Sequence, residues 1–452
     1  MNLKQWHSEY QKKIISLEEL AGKIQSGDTV TLGFGVSGPS GQLVDAILDR
    51  NQELENVRIC DVVLTKSSRL VDPGFMASID GRINSMSGFC LKISRKIFKE
   101  QLVDFYPVQG DDAADKLNKI TDVLIIMVTP PDSRGYVNFG LSNFYHTDML
   151  MNRRESGFRL VIGEVNEQMP VVFGNNWAHI SQFDFFVENS TPIPTLPKIV
   201  PTKFEINFAN HVLELINDGD TIQMGVGGIS EAVVASLDGK NNLGILSEMA
   251  PAGLGHLVEK GIVTNNCKPF HRGKSIATFC LGDQELYDYV TKNPVFELHP
   301  ASYTNNPSFI ASHPNMVAIN SAIMVDFTGQ IASEGVGDRH ISGTGGQLNF
   351  QMGAFWSQGG RAITLVSSTS KLPDGSLTSN IVPELPLGTP VTVPRTFADY
   401  IITEYGVARL RYKTRRERAL ELISIAHPDF RGELRDRLKT KFYFQGPRVF
   451  RA

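Results

Sequence analysis

Two tandem copies of an open α/β domain, each on a mainly parallel sheet, are the fold this sequence predicts. Three observations predict it. The chain has 452 residues, more than one ordinary hydrophobic core fills. The stretch GDTVTLGFGVSGPS from Gly27 returns as GDTIQMGVGGIS from Gly219, 192 positions later. The strand-like runs are apolar on both faces, as in a parallel sheet covered by helices.

The elements follow in chain order. Gly27–Leu32 reads as a strand that runs into the glycine turn Gly33-Phe34-Gly35-Val36-Ser37-Gly38. Ser40–Leu48 (SGQLVDAIL) has helical periodicity, and Asn56–Leu64 reads as the next strand. Asp122–Val128 and Arg159–Ile162 complete the strand set of the first half. In the second half, GDTIQM is followed by the turn Gly225–Ile229, a helix over Ser230–Leu237 and a strand over Asn242–Met249. Met316–Val325 and Ala362–Val366 read as further strands, and the segment after Thr396 as helical. Ile126-Met127-Val128 is matched to Ile323-Met324-Val325. A solenoid repeats every 20–50 residues or so, so this longer period means duplicated domains. Four prolines in Thr191–Thr202 mark a stiff linker. The expected boundaries are 1–192, a linker at 193–202, and 203–452.

Composition narrows the class. Net charge is −4, with 41% hydrophobic and 20% charged residues, a soluble globular balance. No nucleic-acid or membrane partner is expected. The N-terminus lacks the apolar core of a signal peptide, so a cytoplasmic location is the default. The four cysteines, Cys60, Cys90, Cys267 and Cys280, have no paired spacing and are expected reduced. Cys267 and His271 alone make no metal site, and none is expected.

A glycine turn between strand and helix offers backbone N–H groups to an anion such as a pyrophosphate. The first turn fits G-x-G-x-x-G, and Asp61 ends the next strand, where a dinucleotide fold places its ribose-binding acid. Taken alone, this permits an NAD-dependent dehydrogenase. The second turn lacks the third glycine, and its next strand ends in Ser247-Glu248-Met249. A third glycine cluster, Ser342–Phe350 (SGTGGQLNF), adds further N–H groups and the Gln347 amide.

The set GVGGIS, LSEM, SYTNNP, INSAIMVDFTGQI and SGTGGQLNF, with GEVNEQMP at Gly163–Pro170, resembles the acetyl-CoA hydrolase/transferase family of CoA-transferases. It is most similar to the 4-hydroxybutyrate and butyryl-CoA:acetate group. The resemblance implies two CoA-transferase-like (NagB/RpiA-like) domains with the CoA site between them. It implies Glu248 as the catalytic glutamate with Asn320 beside it. It implies Gly225, Val226, Gly227, Gly228 and Ile229 as the CoA and oxyanion turn, and Gly343, Gly345, Gly346 and Gln347 as the facing wall. Lys371 matches a CoA-contacting segment. CoA is then a substrate, with short-chain carboxylates as co-substrates, no permanently bound cofactor, and a homodimer or tetramer as the assembly. The chain departs from the family at Leu246, where relatives often have His, at Ser230 (Pro) and at Asn349 (Asp).

The residue types suit that chemistry. A carboxylate can attack a thioester and carry the acyl and CoA groups in turn, which is nucleophilic catalysis with ping-pong kinetics. Backbone N–H groups can stabilise each tetrahedral oxyanion, and glycine lets the backbone approach closely. Hydrolysis differs only in that water replaces the acceptor acid. A non-catalytic CoA-binding protein is a further alternative. Glu231 is read as capping a helix, Glu334 as near the site, and His340 as a loop hydrogen-bonder.

Overall fold

The structure is a computed structural model that describes residues 6–441 other than 80, 199 and 226. The first half forms a seven-stranded sheet. Its strands are β1 (Thr29–Leu32), β2 (Val57–Asp61), β3 (Ile83–Ser87), β4 (Val103–Phe105), β5 (Val123–Val128), β6 (Leu160–Val165) and β7 (Phe185–Glu188). They lie in the order β4-β3-β2-β1-β5-β6-β7, every pair parallel. β5 is buried along its whole length, as a central strand covered on both faces must be.

The second half repeats this plan. β8 (Thr221–Met224) pairs in parallel with β9 (Gly244–Ile245) on one side and β12 (Met316–Ala322) on the other. β13 (Arg361–Val366) and β14 (Tyr400–Thr403) follow in parallel, and β15 (Gly406–Arg409) closes the edge antiparallel. β10 (Ser275–Ala277) and β11 (Phe296–Leu298) form their own parallel pair. Bridges Leu246↔Ile276 and Met249↔Phe279 tie that pair to the extension of β9. With these bridges the order is β11-β10-β9-β8-β12-β13-β14, the order of the first sheet.

Register fixes which residues correspond. Thr31 lies opposite Cys60, and Leu32 opposite Ile125. Ile222 lies opposite Ile245, and Met224 opposite Ile319. Counting along the strands, Val62 occupies the position of Glu248 and Ile126 that of Asn320. Ile126–Val128 therefore corresponds to Asn320–Ala322, not to Ile323–Val325. The apolar run Ile323–Val325 resembles Ile126–Val128 in composition but lies three residues beyond the register match. The segment after Thr396 also differs from expectation: it gives β14 and β15 before the helices Arg415–Ser424 and Pro428–Lys441. The first of these helices opens on a Thr414/Glu417 capping box. The expected strand over Asn242–Met249 is regular only at Gly244–Ile245.

The halves pack against each other. One core cluster joins Val36, Met127, Leu141, Met169 and Val172 of the first half to Met224, Val317 and Ile363 of the second. Among the described residues, no helix is long and apolar enough to cross a membrane, and the four cysteines are free.

Candidate active site

In open α/β sheets the order reverses beside the first strand, and ligands sit at the strand tips there. Here the reversal lies between β8 and β12, whose tips carry Gly225 and Asn320. A cavity of about 380 Å³ opens at this point, lined by Gly225, Glu248, Asn320, Gly343, Gly345, Gly346 and Gln347 from the second half. Phe34, Val62, Phe89, Val108 and Phe144 face it from the first half. The Gly343–Gln347 loop is docked on the first half, with Cys90 N–H donating to the Ser342 carbonyl at 3.3 Å and Gln109 bridging Gly345.

Glu248 is half-buried, and it lies deep in the molecule against this cavity. Burial pushes its carboxyl up to about 7, against the pull of the Gly346 N–H and the Asn305 carboxamide. The Gly346 N–H donates to Oε2 at 2.8 Å. A side chain at Gly346 would overlap the carboxylate and come within 2.5 Å of Asn305 Nδ2. Glycine is required there by close approach. Asn305 follows the short helix Ala301–Thr304. Its Oδ1 accepts from Thr304 Oγ1 at 3.1 Å, and its buried Nδ2 has no other partner of good geometry. The Gln347 Nε2 is likewise buried without a partner. Gln347 Nε2 therefore lies unengaged near the carboxylate, and Asn305 Nδ2 has only that carboxylate to serve.

Asn320 is engaged elsewhere. Its Nδ2 donates to Gln223 Oε1 at 3.0 Å, and it accepts from Gln223 Nε2 at 3.1 Å. The closed amide pair lines the cavity, with one N–H of each amide spent on the other. Gln223 and Asn305 were missed from sequence. A polar Gln inside an apolar strand, where the first copy has Thr31, was the available signal for the former. For the latter it was the Asn-Asn-Pro run: Asn306 caps the next helix, leaving Asn305 for another task.

Other expected residues scatter. Val226 lies outside the described residues. Gly227 borders a second cavity of about 560 Å³ that shares Met224, Gly225, Met249 and Leu281 with the first. Gly228 and Ile229 line neither. Gly228 lies under the Glu205 carboxylate, where a Cβ would clash, and Ile229 packs on the core. Lys371 sits exposed on the hairpin Thr369–Lys371/Leu377–Ser379, away from both cavities. Leu246 is fully buried among Ile276, Ile310 and Met316, so it does not touch the acyl space. Glu334 is buried beside the lining residue Ser333, and its carbonyl holds Ile341 and Ser342. His340 packs on Phe105 with ring centroids 4.5 Å apart, and its buried Nδ1 is unpartnered.

The first glycine turn is sealed. Gly33, Gly35, Ser37 and Gly38 donate to protein carbonyls, and Phe34 donates to His146 Nε2 at 2.8 Å. Ser40 at the following helix start donates from N (2.6 Å) and Oγ (2.5 Å) to the buried Glu164 carboxylate. The protein's own carboxylate occupies the place a pyrophosphate would take. Asp61 is buried and held by Ser87 Oγ at 2.8 Å, unavailable to a ribose. The first turn and Asp61 thus offer a dinucleotide no site, which removes the observation that permitted a dehydrogenase. In the second half Leu365 takes the register position of Glu164. Ser230 Oγ, buried at the second cavity, has no partner.

His271, outside any metal spacing in the sequence, lies with Glu297 and His299, their ligand atoms within 4.8 Å of one another. Lys274 already pairs with Glu297.

Family models described as the acetyl-CoA hydrolase/transferase N-terminal and C-terminal domains match residues 1–197 and 282–438. A 4-hydroxybutyrate coenzyme A transferase of Clostridium kluyveri is 36% identical over 97% of this chain and 100% of that protein. A succinyl-CoA:cyclohexane-1-carboxylate CoA transferase of Geobacter metallireducens is 36% identical over 95% of each. The crystal structure of RipA from Yersinia pestis superposes with a TM-score of 0.86 at 32% identity, covering 97% of this chain and 99% of that one.

Proposed function

The chain belongs to the acetyl-CoA hydrolase/transferase family, and on that premise we propose that it transfers CoA between an acyl-CoA and a small carboxylic acid through a glutamyl-CoA thioester on Glu248. The family reading admits donors of the acetyl-CoA or succinyl-CoA type and 4-hydroxybutyrate-, butyrate- or itaconate-like acceptors, and the lining of the acyl space selects among them. The observation that carries this reading is a single carboxylate at the tip of the second-half sheet, aimed by the Gly346 N–H into a cavity between the halves.

A Glu248 oxygen attacks the thioester carbon. The C–S bond breaks, CoA leaves as thiolate, and an acyl-glutamyl anhydride remains. The thiolate attacks the glutamyl carbon, and the first acid leaves as its carboxylate. An acceptor carboxylate then attacks the glutamyl thioester, expelling the thiolate and forming a new anhydride. The thiolate attacks the acceptor's acyl carbon, releasing the new acyl-CoA and the Glu248 carboxylate. No net proton is exchanged. Gly346 N–H is already engaged by the carboxylate, so Gln347 Nε2 and Asn305 Nδ2 are the oxyanion donors best supplied; one such donor is worth about 2.7–4 kcal/mol.

The second cavity suits the pantetheine arm, which reaches Glu248 past Gly225. Its rim carries Glu231, Asp238, Asp283 and Glu285 against Lys198 and His256, a balance that fits neutral amides better than phosphates. Trapping tests the mechanism. Acyl-CoA followed by borohydride is expected to reduce the thioester and change the mass of the peptide carrying Glu248. Full activity with that peptide unmodified refutes the covalent route. Product thiol that appears without any new acyl-CoA would mean that water is the acceptor.

A further inference from the structure

We infer that the acyl subsite takes acids with one carboxylate and an uncharged tail, that it rejects dicarboxylates, and that Val62 at the register position of Glu248 is a residue that sets this choice. The inference rests on the reading of Glu248 as nucleophile, because that fixes which end of the acid lies where. The reacting carboxyl is held at Glu248. The tail then has the wall supplied by the first half.

That wall is apolar. Phe34, Val62, Val108 and Phe144 are buried, and Phe34 stacks on Phe144 with centroids 4.0 Å apart. Phe89 and Phe279, which occupy matching positions in the two halves, both line the cavity. Among the described residues, no Lys, Arg or His lines it. Apart from Glu248, the polar lining is amide and hydroxyl: Gln109, Gln223, Asn320, Gln347, Thr344 and serines. On the segment that brings in Phe89 and Leu91, the cations Lys92 and Arg95 are exposed and contribute no lining. Behind Val62 lies Asp61, a buried acid whose one hydrogen-bond partner is a hydroxyl, Ser87. Any charge it gains is negative. A second carboxylate on the tail would thus be desolvated without a cation, the costly arrangement for a buried charge. Duplication produced this asymmetry. The first half has Val62 where the second has its nucleophile.

Butyryl-CoA and succinyl-CoA test it, since they differ by a terminal methyl against a carboxylate. Consumption of each thioester, acetyl-CoA formed and free CoA released are followed in the presence and absence of acetate. The expected result is kcat/KM about 100-fold higher for butyryl-CoA, which is about 2.7 kcal/mol at 1.36 kcal/mol per factor of ten. A ratio below ten overturns the inference. Val62→Lys is expected to shift the ratio toward succinyl-CoA by at least tenfold. If that variant does not fold, the wild-type ratio still decides. Release of CoA without transfer to acetate refutes the transferase reading alone, because the donor's acyl group uses the same subsite. Turnover of neither thioester overturns both.

Discussion

Gly346→Ala is the most demanding test of the site geometry. The Gly346 N–H holds Glu248 Oε2 at 2.8 Å, and a Cβ on Gly346 would come within 2.8 Å of the Glu248 carboxyl carbon and 2.5 Å of Asn305 Nδ2. Ordinary contacts to a methyl begin near 3.5 Å, so the carboxylate must retreat by roughly 1 Å. A misplacement of that size costs about 10²-fold in rate. Losing a hydrogen bond to a charged group adds about 1.5–3 kcal/mol, and the two effects overlap. The expected fall in kcat/KM is about 10²- to 10³-fold. The pH profile is expected to move as well. In the proposed mechanism Glu248 acts as its carboxylate, so the acid limb of the wild-type profile is expected near pH 7, where burial sets its pKa. The Gly346 N–H pulls that value down; without it the limb shifts to higher pH. The assay is acyl transfer across pH 5.5–9, with thermal melting to show the variant folded. A folded variant within tenfold of wild type, with its acid limb unmoved, would refute the idea that this N–H positions the nucleophile.

Two other predictions concern buried polar groups. Asp61 has its carboxyl pushed up to about 7 by burial, so its protonated form favours folding. The stability it contributes is complete below about pH 4 and is lost as pH rises through 7, up to about 4 kcal/mol for three units. Asp61→Asn is expected to remove that slope in urea titrations at pH 5 and pH 8; parallel slopes would sink the assignment. Gln223→Leu leaves Asn320 with unpaired amide groups, a loss of about 1–3 kcal/mol. The double replacement Gln223→Leu/Asn320→Leu is expected to recover most of it and to keep kcat within tenfold. A thousandfold loss of kcat in the double variant would instead return Asn320 to the reacting centre.

Much of this was legible in the sequence for a physical reason. Backbone hydrogen bonding and burial on both faces impose local composition, so β1, β5, β8 and β12 could be read from their own residues. The glycine turn was legible as a turn, because Gly35 and Gly227 need positive φ. What the turn does was not legible. The N–H groups after β1 are engaged by His146 and Glu164, residues more than 100 positions away. Fitting a dinucleotide pattern is a local property; having that site already filled is not. Asn305 was hidden similarly, since it meets Glu248 only through the packing of Ala301–Thr304. Lys371 and Leu246 show the opposite limit. Both stand near a motif in sequence, but the strand places Leu246 in the core and the hairpin carries Lys371 into solvent.

The duplication explains how one cavity came to hold a single charged group. Two sheets with the same strand order place equivalent tips into one space, so every catalytic position has a counterpart in the same cavity or just behind it. Had both copies kept an acid, two carboxylates would share a poorly solvated volume, and their repulsion would hold one of them protonated. Replacing one with Val62 leaves Glu248 free to ionise near neutral pH and turns the other strand tip into wall. Ile126 in place of Asn320 removes a second polar group from the first half. The Glu164 carboxylate closes the first helix start, whereas Leu365 leaves Ser230 open to the second cavity. Val62 and Ile126 take polarity from the first half's strand tips, where Glu248 and Asn320 keep it at the second's. The result is a carboxylate, the proposed nucleophile, facing an apolar surface, the arrangement that Val62→Lys would disturb most directly.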